Sequence, residues 1–173
     1  MKEEQVILVD ENDNELGSME KMTAHTQGLC HRAFSVFILN ADKNILLQKR
    51  HEDKYHCGSL WTNTCCGHPR PTENTEAAAK RRLYEETGIR TNLHYINKFH
   101  YTAPFHNGLT ENEIDHVFYG NVTRNDYLIN PEEIEETKWI SLPHLSFLLA
   151  RFPGQFTPWL KPALTIFQTV LHH

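Results

Sequence analysis

Short runs of apolar, β-branched and aromatic residues, broken by turn residues, set the rhythm of the first half of the chain. Gln5 to Val9 and Glu15 to Ser18 flank Asn12-Asp13-Asn14 and predict a hairpin. A polar segment runs on through His25 and Gly28. Arg32 to Leu39 is almost wholly apolar and predicts a buried strand, Asn40 to Asn44 a turn, and Ile45 to Gln48 a second strand. His51 to Asn63, rich in charge and with glycine, predicts a loop.

Helical signals follow. Asn74 or Thr75 can cap a helix that runs to Thr87, with Gly88 where a C-cap glycine belongs. Strand patterns return at about Asn92 to Pro104, after a Gly108 turn at Glu113 to Val122, and at Thr137 to Ser141. Thr157 reads as an N-cap and Pro158 as the first residue of a helix through Trp159, Leu160, Leu164, Phe167 and Leu171, with His172 and His173 a frayed tail. No repeat, linker or low-complexity stretch interrupts this order. It predicts an α+β fold in one domain spanning residues 1–173.

Charge narrows the classes of partner. Seventeen Lys and Arg against 22 Asp and Glu, a net charge of −5, lack the basic excess that nucleic-acid binding calls for. The apolar run near Val6 to Val9 is too short for a signal-peptide core or a membrane span, so no membrane partner and a cytoplasmic location are expected. Four cysteines without a C-x-x-C pair argue for reduced thiols.

The helix after Asn74 is charged on two sides: Arg81, Arg82, Glu85 and Glu86 fall on one, Glu76, Lys80 and Thr87 near the other. Taken alone, that is a surface helix laced with ion pairs. Its setting changes the picture. Gly67, Glu73, Arg81, Leu83, Glu85, Glu86, Gly88 and Ile89 keep the spacing of the Nudix signature, in which a glycine and a glutamate precede Arg-Glu-apolar-x-Glu-Glu-x-Gly-apolar. Arg82 stands where the hydrolases of that superfamily have a metal-binding glutamate. With Trp61-Thr62-Asn63-Thr64-Cys65-Cys66-Gly67-His68-Pro69, Glu111-Asn112-Glu113 and Pro158-Trp159, the chain resembles the type 1 isopentenyl diphosphate isomerases.

That resemblance, from about Val6 to Trp159, implies a Nudix-type fold with a mixed central sheet flanked by helices. It implies interconversion of isopentenyl and dimethylallyl diphosphate in isoprenoid biosynthesis. Such a double-bond shift protonates an unactivated alkene and removes a proton from a neighbouring carbon, so it needs an acid and a base. Cys66 fits one role if its surroundings favour the thiolate. By resemblance Glu113 fills the other, with Tyr101 beside it, and Trp159 lays its ring quadrupole against the cationic carbon. In an extended segment Glu111 and Glu113 point to the same side, a costly arrangement unless a cation sits between them. His25, His31 and His68 are the resembling positions for the other ligands, although five residues separate His25 from His31, one fewer than in the family. Mixed nitrogen and oxygen donors suit Zn²⁺ or Mn²⁺. Lys21, Arg50, Lys54 and Arg82 would hold the diphosphate, with Mg²⁺ bridging it to Glu86. A small-molecule diphosphate is thus the expected partner and a monomer the expected state. Read singly, each histidine can be a packing residue, Trp159 a core residue, Cys66 a small buried side chain, and Lys21 and Lys54 scattered surface charges. A Nudix pyrophosphohydrolase and an inactive ligand-binding Nudix-like domain are the competing readings.

Overall fold

The computed structural model describes residues 3–124 and 127–171, so His172 and His173 lie outside the described residues. Strands β1 (Gln5–Val9) and β2 (Glu15–Glu20) form the expected hairpin. Asp10 closes its turn, accepting the backbone N–H groups of Asn12 and Asn14 at 2.9 Å each. The polar segment that follows is a helix, α1 (Lys21–Gln27), which the pattern did not predict. It has no apolar period to betray it. Its caps define it: the Glu20 carboxylate accepts the N–H groups of Met22 and Thr23, and Gly28, at φ +66°, ends it in the left-handed region.

The remaining strands are β3 (His31–Leu39), β4 (Ile45–Arg50), β5 (Trp61–Thr62), β6 (Cys65–Gly67), β7 (His94–Pro104), β8 (Thr110–Asn121) and β9 (Ile134–Ile140). Together with β1 and β2 they make one mixed nine-stranded sheet. β3 is its hub, pairing antiparallel with β1, β4 and β6 and parallel with β8. Apolar residues on both faces of β3 account for its unbroken hydrophobic run.

Helices cover both faces. Phe34, Val36, Ile38 and Leu46 pack with Cys65 under α2 (Thr75–Thr87), through Ala78, Ala79 and Leu83. Phe37, Leu39, Leu47 and Val117 pack on the other face with Leu145 of α3 (Leu142–Arg151) and Leu160, Ala163, Leu164 and Phe167 of α4 (Leu160–Gln168). α2 has the bounds its capping residues predicted, with Asn74 accepting the Ala77 N–H at 3.2 Å and Gly88 at φ +70°. Thr87, expected on a polar side, is buried, and its hydroxyl donates to the Leu83 carbonyl at 2.6 Å. α4 begins two residues later than its N-cap signal predicted. Thr157 donates its hydroxyl to Thr62 at 2.8 Å and caps nothing, and Leu171 lies past the helix end at Gln168. Among the described residues no helix is long and apolar enough to cross a membrane.

Asn74→Ala removes the N-cap acceptor of α2 and should lower stability by about 1 kcal/mol, read as a lower denaturation midpoint at unchanged slope.

Candidate functional site

Strand register assembles the site. In the parallel β3–β8 pair His31 lies opposite Glu113 and Ala33 opposite Asp115, while β6 sets Cys66 opposite Ser35 and Cys65 opposite Val36. Paired residues share a face and neighbours in sequence alternate. His31, Glu113, Asp115 and Cys66 therefore project to one side. Cys65 projects to the other, where it is fully buried under α2.

Imidazoles and carboxylates converge at the open end of this face. Nε2 of His31 and of His68 lie 3.2 and 2.9 Å from Oε1 of Glu113. His25, on α1, sets its ring 4.7 Å from that of His31 and tilted 56° to it, so the short connection through Gly28 does not keep them apart. Donor atoms of His25, His31, His68 and Glu113 all lie within 4.8 Å of one another, and those of His25, His56 and Glu111 form a second such group.

The backbone fixes the tautomers. Nδ1 of His25 and of His31 sit 2.7 and 2.8 Å from the carbonyls of Lys21 and Leu29. A carbonyl only accepts, so Nδ1 carries the proton and Nε2 of a neutral ring presents a lone pair to the centre. For His25 burial pushes the ring down to about 4, and its Nε2 is buried without a partner. Burial works against ionisation of Glu113, yet its contacts with His31 and His68 outweigh it and hold the carboxyl well below its usual range. Burial and the nearby Glu113 charge hold Glu111 well above its own. Buried nitrogens aimed inward, backbone-oriented rings and an unsatisfied carboxylate oxygen on Glu111 together fit a divalent metal ion.

A cleft partly open to solvent adjoins this cluster. Its walls include His68, Glu111 and Glu113, the predicted cations Lys21, Arg50, Lys54 and Arg82, and also Glu86, Cys66 and Trp159. His25 and His31 lie beneath it, fully buried. Tyr101 does not line it. That residue pairs with Glu113 across β7 and β8, and its hydroxyl is buried without a partner. Arg82 donates to Glu85 and Glu86 at 2.6 and 2.9 Å and meets Glu133 at 3.1 Å, while Lys54 pairs with Glu133.

Cys66 is held by its neighbours. Its thiol donates to Asn63 Oδ1 at 3.1 Å, and the indole N–H of Trp159 donates to its sulfur at 3.2 Å. Asn63 is anchored in turn, donating to the carbonyls of Cys65 and Val36. The expectation of surroundings that favour the thiolate is not met: burial first, then Asp115, push Cys66 up to about 12. Its resting form is the thiol.

Three site residues escaped the sequence reading. Asp115 extends the Glu111, Glu113 alternation by one step, a signal that was available, and burial holds its carboxyl well above the usual range. Asn63 lay within a quoted motif without a role. His56 sits in an irregular loop, where no periodicity points to a face.

Comparison with known proteins agrees with this geometry. The NUDIX domain model matches residues 30–160. Isopentenyl-diphosphate Delta-isomerase 1 of Aromatoleum aromaticum is 48% identical over 162 residues, covering 94% of this chain and 91% of its own. The isopentenyl-diphosphate Delta-isomerase of Pectobacterium atrosepticum is 46% identical, covering 91% and 87%. Among solved structures, DR0079 of Deinococcus radiodurans superposes with a TM-score of 0.75 at 18% identity over 95% of this chain and 99% of that one, and a MutT protein of Methanosarcina mazei with 0.67 at 20% over 83% and 96%. These two share the fold. The sequence relatives go further, and the chain belongs to the isopentenyl-diphosphate Delta-isomerase family, built on the NUDIX fold.

Proposed function

We propose that the protein is a metal-dependent, flavin-independent isomerase that interconverts isopentenyl and dimethylallyl diphosphate in isoprenoid biosynthesis. The observation that carries this reading is a thiol and a carboxylate, Cys66 and Glu113, on the same cleft wall as four basic side chains. In the forward direction the terminal methylene of isopentenyl diphosphate gains a proton, and the carbon on the far side of the resulting cationic centre loses one. Cys66, protonated at rest, is suited to give the first, and Glu113, ionised at rest, to take the second. Tyr101, whose buried hydroxyl stays protonated under the influence of burial and of Glu111 and Glu113, supplies a hydrogen-bond donor beside that carboxyl.

Trp159 supports the charge that develops between these steps. Its ring faces the guanidinium of Arg50 at 5.3 Å, so the indole already meets a cation in the free chain. Lys21, Arg50, Lys54 and Arg82 would hold the diphosphate by charge-assisted hydrogen bonds. Arg82 also explains the broken signature, since an arginine where a hydrolase has a metal-binding glutamate favours holding the diphosphate intact. When bound, Mn²⁺ or Zn²⁺ at His25, His31, His68, Glu111 and Glu113 would neutralise the paired carboxylates, and Mg²⁺ at Glu86 would neutralise the diphosphate. All of these side chains come from one chain, so a monomer would suffice for the site. The four free cysteines support a cytoplasmic location.

Proton NMR of isopentenyl diphosphate incubated with the protein in heavy water tests the reaction class, with deuterium-labelled dimethylallyl product expected and released phosphate or pyrophosphate the contrary result. Removing metal with a chelator should leave the buried carboxylates uncompensated and lower the unfolding temperature. Adding Mn²⁺ or Zn²⁺ at about a hundred times its dissociation constant should restore about 2.7 kcal/mol. A melting curve indifferent to chelator would refute the metal centre. Cys66→Ala and Glu113→Gln should each abolish turnover while still binding diphosphate, whereas Cys65→Ala, on the opposite face, should keep most activity. Arg82→Glu should cut isomerisation sharply, and unchanged kcat/KM in that variant would make Arg82 an ordinary surface residue.

A further inference from the structure

His56 stands at the edge of the metal centre, on the loop between β4 and β5. Its side chain is 2% exposed, and its Nε2 lies against Oε1 of Glu111. Several contacts hold the ring there. It stacks on Phe105 with centroids 4.9 Å apart and planes 22° apart, and it meets Trp159 edge-on at 5.6 Å. The loop itself is tied down where Arg50 donates to the His56 carbonyl at 3.2 Å.

Glu111 needs such support. It lies two residues from Glu113 on the same face of β8, so the strand sets the two carboxyl groups side by side without fixing the rotamer of either. Its Oε1 nevertheless stays 4.0 Å from Nε2 of His25, about the sum of two metal–donor bonds of about 2.0–2.2 Å. Its Oε2 is buried without a partner. Among the described residues, only His56 touches this carboxylate closely enough to hold it.

We propose that His56 is a positioning residue: its Nε2, set against Oε1 of Glu111, keeps that carboxylate turned towards His25, in the geometry a shared ion requires. The inference rests on the metal centre put forward above. His56 and Glu111 both group with His25, so the variants below separate a residue that orients Glu111 from one that itself binds the ion. Partners that orient a ligand typically change metal affinity by about 10–100-fold when removed.

Two variants test it. His56→Phe keeps the ring and its stacking but loses Nε2, and His56→Gln restores a polar nitrogen without the ring. Mn²⁺ affinity, measured by competition with a fluorescent chelator, should fall by about 10–100-fold in His56→Phe and recover at least in part in His56→Gln. The kcat for isopentenyl diphosphate should follow the same order while KM stays near that of the parent. The Co²⁺-loaded parent and His56→Gln should have absorption bands of the same shape, since the ligands are unchanged. Parental Mn²⁺ affinity in folded His56→Phe overturns the proposal, and so does an altered Co²⁺ spectrum in His56→Gln, which would make His56 a ligand. If His56→Phe does not fold, His56→Ala takes its place in the same titration. A parent that binds none of these metals overturns the metal centre, and this inference with it.

Discussion

The parallel pairing of β3 with β8 runs from His31 opposite Glu113 to Leu39 opposite Asn121, and it joins two requirements in one ladder. Further along, the residues it brings to the α4 face include Phe37, Leu39 and Val117, which sit in the core. At its near end, in the same register and on the same face, the paired residues are an imidazole and a carboxylate. A slip of one residue would exchange the faces of every side chain on β8, driving its carboxylates into the core under α2. Hydrophobic burial along the ladder thus enforces the position of the polar cluster, at an energetic cost the cluster could not bear alone.

That cost is electrostatic. Glu111, Glu113 and Asp115 follow one another at every second position of β8, all buried. Like charges two residues apart on a strand, roughly 6.6 Å, repel by about 2.5 kcal/mol at an effective dielectric constant of about 20. The free chain lessens this by dividing the protons: Glu113 keeps its charge beside His31 and His68, while Glu111 and Asp115 favour the neutral form. This division also creates the chemistry. In the mechanism proposed above, the ionised Glu113 carboxylate is the base and the neutral Cys66 thiol the acid. A divalent ion bound there would replace that partition with direct neutralisation, which would link metal loading to stability.

Much of this was legible in the sequence because local rules govern it. Asn74 and Gly88 marked the ends of α2 through the demands of unpaired backbone groups at helix termini, and the apolar run of β3 marked a strand buried on two faces. The alternation of Glu111 and Glu113 placed two carboxylates on one side, and the adjacency of Cys65 and Cys66 meant that only one thiol could meet the cleft. Where a local rule had a tertiary competitor, the reading failed. Thr157 has the side chain of an N-cap, yet its hydroxyl bonds to Thr62 and α4 starts later.

Other features have no local cause at all. Helix α1 carries no apolar stripe because its inward face is built of His25 and Ala24, so no hydrophobic period exposes it. His56 reaches Glu111 from an irregular loop, through contacts with Phe105 and Trp159 from distant segments and with Arg50 at the end of β4. The protonation of Cys66 depends on burial and on Asp115, which lies 49 positions further along the chain. The residue types and their periods along the chain determined which groups could meet on one face, because backbone geometry repeats locally. Which of them do meet, and in which protonation state, was decided by tertiary structure, because desolvation and charge act through space.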